Sequence, residues 1–323
     1  MTINLADILV VIPCLNEEAH LPSLLEQLLT DDGDFLLVVA DGGSDDRSRS
    51  IVKEVASRDA RVVLMDNPGR LQSCGVNRAV QQHGNGRTFL VRIDAHCAYP
   101  AGYVRGLVAT ARQVEAVSVV VPMVTMGVTC FQKACAAAQN SVLGTGGSAH
   151  RHLGSGRFVD HGHHALMRIS AFRQVGGYDE TMSHNEDAEL DHRLSNLGAI
   201  WLEPKHAITY FPRRAPLGLW KQYLGYGGGR ARTLWLHRMR PRLRQMLPLA
   251  VPVSILLAPG ALWWPVLALP LLGWLSLSLA AGIVIGARTR SPCEMLAGVA
   301  AMIMHLAWGC GFLLEWARRG AAR

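Results

Sequence analysis

Five acidic or amide side chains in this sequence stand where chemistry could be done. Asn16, Asp41 and Asp94 each come just after a short aliphatic run, ILVVI, FLLVVA and FLVRI respectively. Asp94 is followed two residues later by His96, in Asp94-Ala95-His96. A carboxylate and an imidazole two apart at a strand end can both point at one ion. Mg²⁺ accepts few protein ligands, while Mn²⁺ tolerates imidazole beside carboxylate. Further on, Glu186-Asp187 open a segment of helical spacing, EDAELDHRL. Carboxylates at a helix start lie close to hydrogen-bond donors, and Glu189 and Arg193 are spaced to pair at i, i+4. A histidine group, His161-Gly-His163-His164, leaves three readings open: a zinc site, the lining of a ligand pocket, or no catalytic part.

These side chains need elements to place them. Ile8–Ile12, Phe35–Ala40, Arg61–Met65 and Phe89–Ile93 read as strands. Between them Glu17–Leu29, Ser48–Arg58 and Gln72–Gln82 carry apolar residues at helical spacing. Such alternation predicts βαβ crossovers and a parallel sheet with helices on both faces. Ligands bind such sheets outside the carboxyl ends of the strands, so the loops holding Asn16, Asp41 and Asp94 converge on one edge. Asp46 either braces its loop or caps the helix from Ser48. After residue 100 the pattern loosens. Helices are expected over Thr129–Leu143 and Asn185–Leu197, a loop over Gly144–Gly156, and an amphipathic stretch over Ala215–Tyr226 before Gly227-Gly228-Gly229.

Composition adds a second part. Half of the 323 residues are hydrophobic and 18% are charged, against about 25% in an average globular chain. Met246–Ala287 holds no charged residue, and Leu296–Trp316 has one, Glu315. These blocks have room for about three membrane spans, which counts against a soluble single domain. Low charge and high hydrophobicity exclude disorder. The net charge is +7, with no Asp or Glu from Pro204 to Cys293 and ten Lys/Arg from Pro204 to Arg244. A basic run leading straight into an apolar block is the expected cytoplasmic flank of a membrane segment and attracts lipid headgroups; nucleic acid is not the expected partner. Seven scattered cysteines, none in a CxxC pair, argue against a disulfide framework and fit a reducing compartment. The N-terminus lacks a basic n-region and reads as a first strand, not a signal peptide.

Four motifs in register carry a resemblance. Strand-Pro13-x-x-Asn16-Glu17, strand-Asp41-Gly-Gly-Ser-x-Asp46, strand-Asp94-x-His96, and Gly176-Gly177-Tyr178-Asp179-Glu180 ahead of Glu186-Asp187-x-Glu189-Leu190-x-x-Arg193-Leu194 resemble the family 2 glycosyltransferases of the nucleotide-sugar (GT-A) fold. The resemblance covers about residues 8–235. The Asp-Ala-His form, the histidine group, the Gly144–Ser148 segment and the basic membrane tail look closest to succinoglycan-type, ExoA-like exopolysaccharide enzymes of bacteria.

The resemblance implies an α/β GT-A domain over residues 1–235, with a mixed, mainly parallel sheet. A basic juxtamembrane segment and about three transmembrane helices would fill 236–323. It implies an inverting, non-processive, metal-dependent hexosyltransferase. The enzyme would move a hexose, with glucose the expected sugar, from a UDP-sugar to a lipid-linked saccharide. It would sit in the bacterial inner membrane with its catalytic domain cytoplasmic, in contact with membrane lipids and other polysaccharide-assembly proteins. Carried over residue by residue, Pro13, Asn16 and Glu17 line the nucleotide pocket, Asp41 contacts base or ribose, and Asp46 braces the loop. Asp94 and His96 hold Mn²⁺ or Mg²⁺ at the leaving diphosphate. Here His96 replaces the family's usual second Asp, which tilts the choice of ion towards Mn²⁺. Asp187 is the general base, with Glu186 next in line. Arg230 or Arg232 reaches the diphosphate, although the Gln-x-x-Arg-Trp motif of processive relatives is absent. A polyprenyl-phosphate glycosyltransferase, a silent scaffold and a two-carboxylate glycosidase are the rival readings.

Overall fold

The computed structural model describes residues 7–31, 35–146 and 154–321. The chain folds as two compact units. One comprises Met1–Met123 and Leu153–Tyr210, the other Val124–His152 and Phe211–Arg323.

The first unit is built on an eight-stranded sheet. Four strands alternate with helices from the N-terminus: β1 (Ile8–Cys14), α1 (Leu21–Asp31), β2 (Leu36–Asp41), α2 (Ser48–Arg58), β3 (Val62–Asp66), α3 (Gln72–His83), β4 (Phe89–Arg92) and α4 (Tyr103–Gln113). The sheet order is β3, β2, β1, β4, then His163–Arg168, Ser118–Val121, Ile200–Leu202 and Arg157–Val159. β1 to β4 pair in parallel. His163–Arg168 runs antiparallel between β4 and Ser118–Val121, and the edge strand Arg157–Val159 is antiparallel to Ile200–Leu202. The sheet is therefore mixed and mainly parallel, as expected.

The strand sequences explain this placement. Successive side chains of a strand point to opposite faces. Ile8, Val10 and Ile12 join a core with Leu21, Leu25 and Leu28 of α1. Leu9 and Val11 join another with Val76, Ala79 and Val80 of α3. A strand buried on both faces has to be apolar at nearly every position, and ILVVIPC is. Register then lines up the strand ends, with Cys14 opposite Asp41 and Asp41 opposite Asp66.

The second unit is helical. Its longest elements are Pro216–Leu236, Leu269–Thr289 and Ala297–Ala321. The Pro216–Leu236 helix runs straight through Gly227-Gly228-Gly229, where the sequence suggested an end at Tyr226. Packing overrides propensity here: a Cβ at Gly227 would stand 1.9 Å from the Trp308 carbonyl oxygen, and one at Gly311 2.0 Å from that of Leu224. Only hydrogen allows the helices so close, as in small-residue packing of membrane helices. The helix thus folds with the second unit, whereas the sequence put its residues up to 235 in the first domain.

Two segments, Pro265–Thr289 and Pro292–Ala321, are long and apolar enough to cross a membrane by length and composition. A third expected span is replaced by a shorter apolar stretch, Leu247–Leu262, broken into an α-helix and 3₁₀ turns around Pro248, Pro252 and Pro259. The expected Thr129–Leu143 helix is likewise two, Cys130–Gln139 and Val142–Thr145, separated by an extended Ser141. Residues 147–153 of the Gly-rich loop lie outside the described residues. The cysteine expectation is corrected too. Cys130 and Cys293 form a disulfide, their Cα atoms 5.0 Å apart. A separation of 163 residues gave no spacing signal in the sequence.

Candidate active site

All the carboxylates singled out by sequence lie in the first unit, beyond the carboxyl ends of its parallel strands. They fall into two groups.

The first group belongs to the loops after β1 and β2. Asn16 has a left-handed backbone, φ 57°, which asparagine tolerates better than most residues. Its amide N–H donates to Ser44 Oγ at 2.9 Å, and its Oδ1 accepts from Asp45 N at 3.0 Å. Asp41 is buried. It accepts from Ser44 Oγ at 2.6 Å, Gly43 N at 3.0 Å, Ser44 N at 3.2 Å and Arg49 Nη1 at 2.6 Å. Burial works to raise its pKa, but hydrogen bonds from Ser44 and Arg49 outweigh it and hold the carboxyl below its ordinary value. Asp46 accepts from Glu18 N at 3.0 Å and from Ser48 N at 2.8 Å. It ties the first loop to the second and meets the first amide of α2. Glu17 N donates to Ser48 Oγ at 2.8 Å. Pro13 sits within β1, opposite Ala40.

The second group is centred on a residue the sequence reading passed over. Arg92, the last residue of β4, is 3% exposed. Its Nη1 lies 2.5 Å from Asp187 Oδ1, its Nη2 3.2 Å from Asp187 Oδ2, and its Nε 3.4 Å from Asp94 Oδ1. One buried guanidinium thus links the carboxylate after β4 to the carboxylate opening the Glu186–Leu194 helix. The signal was present, since a charged residue in FLVRI is out of place in a strand buried on both faces.

Histidines close the cluster. His163 Nε2 stands 3.5 Å from Asp94 Oδ2, and its Nδ1 stands 3.9 Å from Asp187 Oδ2. His164 is fully buried, 2.8 Å from Asp191 Oδ1 through Nε2, and its Nδ1 is 2.6 Å from the Tyr178 hydroxyl. Tyr178 is placed by Gly176-Gly177, both at positive φ. Its backbone N–H donates to Asn77 Oδ1 at 2.9 Å and its carbonyl accepts from Asn77 Nδ2 at 2.9 Å. His161 Nδ1 lies 2.8 Å from Asp160 Oδ1. Among the described residues no group of three or more His, Cys, Asp or Glu is placed to hold a metal ion, which removes the zinc reading for what is described.

The electrostatics follow from the geometry. Burial works to raise the Asp187 pKa, but Arg92, then His164 and His163, hold it well below the usual carboxylate range. Burial pushes Glu186 up to about 7, with the charge of Asp187 adding to it. Burial brings His163 down to about 4. In His164 burial is outweighed by Asp191 and Asp187, and its pKa is raised. Asp94 is lowered: burial is outweighed by Arg92, His163 and His96. Glu189 makes the expected i, i+4 pair, accepting from Arg193 Nη2 at 2.6 Å.

A family model, "Glycosyl transferase family 2", matches residues 9–176. The chain is 50% identical to "Succinoglycan biosynthesis protein ExoA" of Rhizobium meliloti (strain 1021), with 97% of each chain covered. The chain belongs to glycosyltransferase family 2. Its fold is shared with solved transferases at low identity. The mannosyltransferase PcManGT of Pyrobaculum calidifontis, solved with GDP-Man and Mn²⁺, superposes with a TM-score of 0.60 at 15% identity, over 96% of this chain and 86% of that one. GalNAc-T7, solved with UDP, GalNAc and Mn²⁺, gives 0.52 at 13%, over 71% and 47%.

In this family 2 chain the residues present fit a divalent cation shared with a ligand. Asp94 Oδ1 is buried without a hydrogen-bond partner. With fewer than three protein groups at hand, such an ion takes its other ligands from substrate phosphates. His96, the expected second ligand, is 47% exposed at its side chain, and its Nδ1 is 3.0 Å from Glu17 Oε1. Arg230 and Arg232 lie on the Pro216–Leu236 helix of the second unit, where Arg230 is buried.

Proposed function

We propose that this transferase moves a hexose from a UDP-sugar to a lipid-linked saccharide during synthesis of a succinoglycan-like exopolysaccharide. The observation that carries the reading is the Arg92-linked pair of carboxylates, Asp94 and Asp187, at the carboxyl edge of a nucleotide-sugar-type sheet. The identity to the succinoglycan protein supports the pathway class.

The roles follow from position. The loops after β1 and β2, with Pro13, Asn16, Glu17 and Asp41, form the nucleotide side. Asp94, with His96 nearby, belongs to the diphosphate side. There a Mn²⁺ or Mg²⁺ ion would supply charge stabilisation for the leaving group. Asp187 accepts the proton of the acceptor hydroxyl as that oxygen attacks the anomeric carbon. Arg92 keeps it ionised and fixes its plane, so one acceptor orientation is defined before substrate arrives. A single displacement inverts the anomeric centre. Arg230 and Arg232 remain candidates for the diphosphate.

The second unit serves as the membrane anchor. Two spans return the chain to the side it started from, so Arg318 and Arg319 share a side with the basic run Arg238–Arg244. That agrees with a cytoplasmic location for both and supports the reading of an inner-membrane enzyme. The testing experiment supplies membrane lipids from an exopolysaccharide producer with a panel of UDP- and GDP-sugars, and measures nucleoside diphosphate release. Release with one UDP-hexose, dependent on the lipid fraction and on alkaline-resistant membrane association of the protein, is the expected result. Release independent of lipid, or glycoside hydrolysis without nucleotide release, overturns the reading.

A further inference from the structure

Behind Asp187 stand three buried polar side chains that play no part in the proposed displacement: His164, Tyr178 and Asp191. Asp191 lies one turn after Asp187 on the Glu186–Leu194 helix, so the two carboxylates share a face. His164, on the strand His163–Arg168, stands between them. Its Nε2 is 2.8 Å from Asp191 Oδ1, and neither side chain has any exposed surface. Its Nδ1 is 2.6 Å from the Tyr178 hydroxyl and 3.4 Å from Asp187 Oδ1. The Asp187 side chain is 19% exposed. The row starts in the core at Asp191 and ends at the open side of the site at Asp187.

We infer that His164 and Asp191 are positioning residues for the general base: Asp191 anchors the imidazole, and the imidazole, with Tyr178, sets the Asp187 carboxylate. The inference rests on the reading of Asp187 as proton acceptor and deepens it. Three observations support it. First, Asp191 is itself fixed. Its Oδ2 accepts from Gly162 N at 3.0 Å, which leaves Oδ1 to the histidine. A carboxylate oxygen only accepts, so a ring proton of His164 lies on Nε2. That sets the ring's orientation and turns its Nδ1 edge to Tyr178 and Asp187. Second, the same strand residue meets Asp187 twice, since the His164 backbone N–H points to Oδ2 at 3.5 Å. Arg92 joins the group from β4, donating from Nη1 to the Tyr178 hydroxyl oxygen at 3.3 Å as well as to Asp187. Asp191 and Asp187 outweigh burial at His164 and raise its pKa, as a charge between two carboxylates requires. Third, packing alone does not call for these residues. A buried ion pair gives little stability over an apolar pair of the same volume, and full burial keeps both side chains off the substrate. Their effect on transfer passes through Asp187, whose lone pair has to meet the acceptor hydroxyl; a misplacement of about 1 Å costs about 10²-fold in rate.

The test uses the full-length protein in detergent, the UDP-sugar that gives release in the panel above, and membrane lipids of an exopolysaccharide producer as acceptor. UDP release is read. His164→Gln should lower kcat about 10–100-fold while the KM of the donor and the dissociation constant of UDP hold. Asp191→Asn keeps the shape. Gly162 N still takes the side-chain oxygen, so the amide nitrogen faces Nε2 and the anchor is lost; kcat should fall with the same binding constants kept. His164→Asn puts an amide where Nδ1 stands and should recover part of the kcat lost in His164→Gln. In the Asp187→Asn background His164→Gln should slow turnover by less than about twofold more, because the two act as one unit. Melting curves show which variants fold, and Asp191→Asn carries the test where a histidine variant does not. Wild-type kcat in a folded His164→Gln or Asp191→Asn, a loss that multiplies with that of Asp187→Asn, or a loss matched by weaker UDP binding overturns the inference. Asp187→Asn separates the two levels. If it is slow while the His164 and Asp191 variants are not, only the present inference fails. If it turns over near the wild-type rate, the reading of Asp187 as base fails and this inference with it.

Discussion

The loops after β1 and β2 and the Arg92 cluster stand on one sheet edge and use polar side chains in opposite ways. After β1 and β2, acids and amides are spent on neighbouring backbone. Asp41 takes four hydrogen bonds from its own loop and from Arg49. Asp46 and Asn16 stitch the two loops together. Around Arg92 the charges are buried among one another. Two carboxylates share a guanidinium, two histidines fill the gaps, and a carboxylate oxygen of Asp94 is left without a hydrogen bond. Satisfied polar groups give a loop its shape. Buried charges that are only partly compensated are where pKa values move and ligands are wanted.

This contrast predicts where a change costs turnover and where it costs stability. The largest effect belongs to Asp187→Asn. It removes the proposed proton acceptor while keeping shape, so turnover should fall by about 10²–10⁴ with UDP binding kept. Asp41→Asn should do the reverse, lowering the melting temperature and weakening UDP binding with kcat little changed. Near-normal kcat in Asp187→Asn would move the base to Glu186. Next comes Arg92→Met, which leaves Asp94 and Asp187 buried without their shared cation. Removing one partner of a buried ion pair costs about 3–5 kcal/mol, so a large drop in thermal stability is expected, with Arg92→Lys intermediate. A variant as stable as wild type would show that Arg92 does not hold the cluster together.

Much of the first group was legible in the sequence, because its logic is local. Strand, turn and polar residue follow one another within a few positions, and the order of the four motifs is the order of the sheet edge. The second group was legible only in part. Asp94 and Asp187 were visible as strand-end and helix-start carboxylates and Arg92 as a charge in an apolar strand, but His163 and His164 meet them only because an antiparallel strand inserts next to β4. No spacing along the chain encodes that. The same holds for the disulfide and for the Pro216–Leu236 helix, whose glycines looked like a break until a second helix packed on them.

A smaller effect tests the bracing role of the first group. Asp46 accepts two backbone amides, one from the loop after β1 and one from the start of α2. Hydrogen bonds to a charged group contribute about 1.5–3 kcal/mol each when well formed, and exposure and relaxation reduce what is lost here. Asp46→Ala should therefore destabilise the protein by about 1–3 kcal/mol, read as a shift in melting temperature. Weaker donor binding should accompany it, without a change in kcat at saturating donor. A fall in kcat with stability unchanged would put Asp46 among the reacting groups and blur the distinction between the two sides.

The smallest expected effect is the sharpest test of which carboxylate takes the proton. Glu186 and Asp187 are adjacent, yet burial pushes Glu186 up to about 7, while Arg92 overrides burial at Asp187 and holds it well below the usual range. A base works only in its ionised form. Asp187 is ionised throughout the neutral range, so kcat/KM should change by less than about twofold between pH 6 and pH 8. With Glu186 as the base, the active fraction would fall as pH drops through 7, about tenfold from pH 8 to pH 6. Glu186→Gln separates this limb from other titrations. The variant should keep the wild-type profile and most of its rate when Asp187 is the base. An acid limb near 7 in the wild type that disappears in Glu186→Gln, together with most of the activity, would transfer the role to Glu186. Asp187 would then be a fixed charge that keeps its neighbour's proton affinity high.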